Sequence, residues 1–141
     1  MEYRKFGENH YVVRIDRGEE VVSSLYHLCK EEKITAGEVV GLGAADHVSV
    51  GLYNVAEQKY HAKSFDGEME ITSLIGNISV MNGAPYLHIH INVCDPDMNI
   101  HGGHLTECRI SATSELMVTV LDGTVGRKQD SVTGLNIYDF S

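Results

Sequence analysis

A chain of 141 residues with 20 acidic against 11 basic side chains, a formal charge of −9, is poorly suited to direct contact with DNA, because neutralising phosphates takes clustered Lys and Arg. Its 43% apolar and 22% charged residues suit one globular domain, long enough to bury a core without disulfides. No apolar run approaches the roughly 20 residues of a membrane helix, and Met1-Glu-Tyr-Arg-Lys5 lacks the apolar segment of a secretory leader, so a cytoplasmic protein with no membrane partner is expected.

Residues 10–15 read as the first strand. Asp16-x-x-Glu19 has the form of a capping box and opens a helix. Val21, Val22, Leu25, Leu28 and Cys29 recur there at helical spacing, with Ser24, His27, Lys30 and Glu31 on the wet side and an end near Glu32 or Lys33. Residues 37–53 form a long extended stretch broken by glycines, which predicts bends or bulges. Gly41-x-Gly43 is no phosphate loop, since no Lys-Ser or Lys-Thr follows; it reads as a strand bend where another backbone or subunit packs. Residues 58–65 and 68–81 follow as two further strands, and Glu70 in the second is a candidate general base. After a histidine-rich hairpin come a strand at 113–121, an Asp122-Gly123 turn and a short strand-like tail at 135–140. One helix and about seven strands give an α+β fold: a single compact domain over residues 1–141, largely antiparallel sheet with the helix packed on it.

The hairpin carries the chemistry. His88 and His90 project from one strand face about 7 Å apart at the backbone. The turn signal Asp95-Pro96-Asp97 and the pair Gly102-Gly103 let the chain return antiparallel. Centred on Asp97, the hairpin sets His90 opposite His104 with His88 diagonal to it, so three imidazoles converge on one face. Neutral imidazole suits zinc and other first-row metals, and three protein ligands leave a position for water or substrate. His88, His90 and His104 are therefore the expected ligands of a divalent metal, Zn²⁺ above others, with Asn92 or Glu107 as candidate partners for the outer ring nitrogens.

His101 lies in the turn with the opposite parity and is expected in solvent, and His10, His27, His47 and His61 are scattered surface or edge residues. Cys94 and Cys108 share the parity of His90 and His104, so they read either as outside candidates for ligation or as small buried apolar residues. With Cys29 they form no C-x-x-C unit and are expected as reduced thiols. Gly102 and Gly103 signal a close backbone approach, a positive φ, or a bulge. Residues 64–108 hold no Lys or Arg but include Asp66, Glu68, Glu70, Asp95, Asp97 and Glu107, surroundings that favour a cation over a phosphate.

Gly41-Leu-Gly-Ala44, Gly67-Glu-Met-Glu-Ile-Thr-Ser-Leu74, His88-x-His90 and Gly102-Gly-His-Leu105, taken in this order and spacing, resemble the plant- and prokaryote-conserved (PPC) domain family from the first strand to about Asp122. The resemblance implies a large antiparallel sheet carrying a helix, assembled as a homotrimer. The chain is similar to the stand-alone prokaryotic type. It lacks the Arg-Gly-Arg-Pro hook that precedes the domain in plants, and Glu68 and Met69 stand where the plant pattern has Arg and Phe. Stand-alone members often carry a DNA-binding label, so the resemblance implies a metal-binding homo-oligomer of regulatory type, reaching DNA through a protein partner or not at all. The histidine site supports a different class as the alternative: a metal-dependent enzyme, hydrolase or lyase, acting on a small polar molecule.

Overall fold

The computed structural model describes residues 1–141, which form one helix and eight strands. β1 (Glu2–Phe6) and β2 (His10–Asp16) make an N-terminal hairpin, and α1 (Val21–Glu31) follows. The remaining strands are β3 (Gly37–Asn54), β4 (Lys59–Met81), β5 (Ala84–Cys94), β6 (Ile100–Val120), β7 (Gly126–Gln129) and β8 (Asn136–Asp139). The α+β class, the dominance of antiparallel sheet and the single helix agree with the sequence.

The differences lie in where elements begin and merge. β1 was not expected: four of its five residues are exposed, so it carries no alternation to read. The two strands expected over 58–65 and 68–81 are one, because β4 runs through a bend at Gly67, whose φ of +114° suits glycine. The return limb of the histidine hairpin and the strand expected at 113–121 are likewise one element, β6. The helix is capped one residue past the expected box. Extended Glu20 is the N-cap, its carboxylate accepting from the Val22 and Ser23 N–H groups at 2.9 and 2.7 Å. Asp16 and Glu19 instead close the turn before it, the Asp16 N–H donating to Glu19 Oε2 at 2.8 Å. Glu20 Oε1 also accepts from the Cys108 N–H at 3.1 Å, which ties the start of the helix to β6.

The sheet runs β1-β2-β6-β3-β4-β7-β8, and β5 pairs with both β4 and β6, so β3, β4, β5 and β6 close into a ring. One edge of β6 is shared: β5 takes residues 100–104 and β2 takes residues 113–119. The helix packs against β5 and β6, and its Val21, Leu25, Leu28 and Cys29 join Ile89, Ile91 and Val93 of β5 in one core cluster of 24 buried residues. Each large side chain so buried contributes about 1.5–3 kcal/mol. β3 bends where its glycines predict, with register shifts at Gly41/Gly43 and Ala45/His47. A Cβ on Gly41 would stand 2.7 Å from the Glu115 carbonyl oxygen, so β6 backbone packs against it as the sequence reading proposed.

A candidate metal centre

Because the core takes the odd residues Ile89, Ile91 and Val93 of β5, strand alternation turns His88 and His90 to the opposite face. The hairpin register is His90↔His104, Ile91↔Gly103, Asn92↔Gly102, Val93↔His101 and Cys94↔Ile100, centred on Asp97 as the spacing predicts. Asp95 fixes the turn by accepting at Oδ1 from the N–H groups of Asp97 (3.0 Å) and Asn99 (2.9 Å). Neither glycine at 102 or 103 has a positive φ, and the ladder shows no register shift there. Of the three readings, close approach is the one the structure contains. A Cβ on Gly102 would lie 2.2 Å from Asn92 Oδ1 and 2.5 Å from the Ile91 carbonyl oxygen.

The three imidazoles converge. Ring centroids are 5.2 Å apart for His88–His90 and His88–His104, and 5.6 Å for His90–His104. One nitrogen from each ring lies within 4.8 Å of the others. Two nitrogens bound to one zinc stand roughly 3.3 Å apart, so small ring rotations suffice. Burial, with His88 and His90 beside it, pushes His104 down to about 4. His88 is lowered by burial first, then by His90 and Arg127. Both rings are therefore neutral near pH 7 and carry the free lone pair that a metal requires. His104 Nδ1 is buried without any hydrogen-bond partner, the kind of orphaned atom that calls for an explanation. A bound cation would supply one, and the residues present fit it.

Other sequence candidates lie elsewhere. Glu70 of β4 pairs with Cys94 of β5 and lines a separate depression with Glu68 and Asp95, so the structure does not bring it to the histidines. Asn92 donates to Ser73 Oγ at 3.0 Å, and Glu107 stands 3.9 Å from His47 Nε2; neither bonds a ring of the cluster. Cys94 contacts Met98 Sδ at 3.6 Å. Cys108 leaves the histidine face because β6 shifts register against β3 between Leu105 and Glu107, which reverses the parity and sends the thiol into the core. Burial pushes it up to about 12. His101 is not free in solvent: its Nε2 lies 2.9 Å from Asp95 Oδ2 and its ring stacks on Phe65 at 4.3 Å.

The acidic surroundings expected around the histidines are also displaced. Asp66, Glu68 and Asp95 gather with His101 near the hairpin tip. Asp95 is five residues up the strand from His90, roughly 17 Å along it. The histidines instead line a cavity of about 680 Å³ whose sixteen lining residues include no Asp or Glu. Its walls come from the β3–β4 hairpin (Tyr53, Tyr60), from β5 (Tyr86) and from the β7–β8 hairpin (Arg127, Tyr138). Tyr60 packs on His104 at 5.2 Å between ring centroids. The tail is anchored over this space by Tyr53 Oη, which donates to the Thr133 carbonyl at 2.7 Å. Sequence reasoning missed Arg127 and these tyrosines, since only tertiary folding brings residues 53, 86 and 127 together.

Residues 3–122 match the model of the Plants and Prokaryotes Conserved (PCC) domain. A candidate DNA-binding protein from Bacteroides thetaiotaomicron is 37% identical over 99% of this chain and 96% of its own, with a TM-score of 0.95. A plant- and prokaryote-conserved protein from Pyrococcus horikoshii is 25% identical over 98% of this chain and 93% of its own, with a TM-score of 0.86. A metal-containing protein from Archaeoglobus fulgidus gives 25% identity, 98% coverage of both chains and a TM-score of 0.86. No curated protein matches the chain in sequence. No helix is long and apolar enough to cross a membrane.

Proposed function

This chain belongs to the Plants and Prokaryotes Conserved (PCC) domain family, and on that premise we propose that it binds one divalent metal, zinc by donor type, through His88, His90 and His104. The observation that carries the reading is the convergence of three imidazoles, one nitrogen from each within 4.8 Å of the others, on a ring, His104, whose Nδ1 is buried and unpartnered. The similar protein from Archaeoglobus fulgidus, described as metal-containing, supports it. Zinc held by these three residues would supply Lewis acidity at neutral pH. The chain's own residues hold the imidazoles in place: β-pairing fixes His90 against His104, and Tyr60 packs on the His104 ring.

A specific observation also favours the enzymatic reading, hydrolase or lyase, over a purely structural metal. A structural site is closed by its own ligands, whereas these histidines line a cavity large enough for a small molecule. For the regulatory reading, the −9 charge makes a protein partner the better route to DNA.

Self-association, as a homotrimer, belongs to the proposal. Val12, Met117, Val40 and Ile75 are exposed and register-paired in a row across β2, β6, β3 and β4, and Ile75 is paired in turn with His90. An apolar stripe of this kind needs cover, and a second copy laid over it would abut the histidines.

Elemental analysis of the purified protein tests the site. About one metal ion per chain is expected, lost in H88A/H90A/H104A; equal metal in both would overturn the reading. Light scattering on the same samples should give three times the 15.6 kDa chain. Loss of metal together with the trimer would mark the ion as structural, and loss of metal alone would leave it available for chemistry.

A further inference from the structure

The cavity beside the histidines holds a second built feature, on the hairpin that follows the residues matched by the family model. Arg127 of β7 lines it and is sandwiched between two tyrosine rings, its guanidinium carbon 4.4 Å from the centroid of Tyr86 and 4.5 Å from that of Tyr138. Its Nε donates to Ser79 Oγ at 2.7 Å, and its Nη1 donates to the Asn136 carbonyl at 2.7 Å. Ser79 is fully buried and donates in turn to the Tyr86 carbonyl at 3.2 Å. The guanidinium is thus fixed in plane and orientation, while Nη2 has no acceptor from the protein.

No carboxylate neutralises it. Arg14, Arg109 and Lys128 each pair with an Asp, but Arg127 makes no salt bridge, and none of the residues lining the cavity is acidic in a chain that has 20 acidic residues. A fixed, unpaired cation in a pocket walled by four tyrosines is a complement for an anion.

We propose that this cavity takes a small carboxylate-bearing molecule, its carboxylate held by Arg127 and its other polar end directed to His88, His90 and His104. A single planar guanidinium matches a carboxylate in shape. No glycine-rich loop or helix N-terminus among the lining residues offers the nest of N–H groups that phosphate sites use. The tyrosine walls suit an apolar body between the two polar ends. The inference rests on the metal reading above, because a bound divalent ion adds positive charge opposite Arg127 and makes an anion the natural occupant.

The test uses zinc-loaded full-length protein titrated calorimetrically with malonate, its neutral analogue malonamide, and inorganic phosphate. Malonate should bind saturably and malonamide should not. R127M should weaken malonate about tenfold to a hundredfold with its zinc content unchanged, and R127K, which keeps charge but loses the planar fork, should fall between. Circular dichroism and melting establish that each variant is folded. A second measurement needs no variant: malonate should protect Arg127, and not exposed Arg14, from modification by phenylglyoxal, read by peptide mass spectrometry. Equal malonate affinity in folded R127M, no saturable malonate binding to wild type, tighter binding of phosphate than of malonate, or unprotected Arg127 would each overturn the inference. The metal reading is judged separately: zinc retained in R127M and absent from H88A/H90A/H104A sustains it whatever the titrations give.

Discussion

Replacing Gly102 with alanine should loosen metal binding without removing any ligand. The added Cβ would sit 2.5 Å from the Ile91 carbonyl oxygen, 0.5 Å short of the 3.0 Å that real Cβ atoms essentially always keep and 0.9 Å short of ordinary contact at 3.4 Å. Asn92 Oδ1, at 2.2 Å, belongs to a side chain and can swing away, but only by giving up its bond to Ser73. The Ile91 carbonyl is backbone, next to His90 in a strand paired on both sides, with β4 and with β6. Relief therefore means moving β5 and β6 apart by at least half an ångström, at a contact whose Gly102 is two residues from His104 and whose Ile91 is one residue from His90. Metal sites tolerate about 0.2 Å in ligand distance, so the shift exceeds what three fixed imidazoles can absorb. By analogy with loss of the groups that orient metal ligands, affinity should fall about 10- to 100-fold, and overpacking should cost about 1–3 kcal/mol of stability. Competition with a chromophoric zinc chelator measures the first quantity and urea melts of metal-free protein the second. Wild-type affinity together with a wild-type urea midpoint in G102A would refute the reasoning from close approach.

Further outcomes follow from other parts of the fold. E20A removes the acceptor for the Val22, Ser23 and Cys108 N–H groups, and should cost about 1–2 kcal/mol in a denaturant melt; an unchanged midpoint would detach helix capping from stability. In metal-free protein, His104 is held at about 4 against an ordinary 6.5, so the unfolded chain protonates first. That contribution is fully present above pH 6.5 and is lost as pH falls toward 4, so the acid loss of stability should be shallower in H104Q than in wild type; equal slopes would count against it. Burial holds the Cys29 and Cys108 thiols up to about 12, while Cys94 is only half-buried. A disulfide reagent should therefore titrate one thiol in the native protein and three after unfolding, and fast reaction of two or more native thiols would contradict the burial.

The histidine centre was legible in sequence because a short hairpin obeys local rules. Strand parity and the turn at Asp95-Pro96-Asp97 suffice to place His90 against His104 without any knowledge of the rest of the sheet. The same parity argument failed for Cys108, four residues on, since a register shift in β6 reverses it and nothing in Leu105-Thr-Glu-Cys108 announces that shift. β4 looked like two segments because the bend at Gly67 resembles a break when length is judged locally, and β6 because the hairpin at 102–104 and the strand expected at 113–121 were read apart. The acidic residues were close to the histidines in sequence and far from them along the strands. Arg127 gave no signal, since its site depends on Ser79 and Tyr86, more than forty residues away in sequence.

β5 and β6 share only five register pairs, and His90–His104 is the last of them before β6 runs on to other partners. The closed ring therefore has a fork, and it is the place where fraying costs least, because one more broken pair there opens no other part of the sheet. The histidines straddle that fork, two on one limb and one on the other. An ion held by all three acts as a clasp: any opening of the fork has to release it, so its binding free energy becomes resistance to local unfolding. Amide exchange around residues 88–91 and 103–105 should slow when metal is added, while the far end of the sheet, at β1 and β2, should keep its own rate.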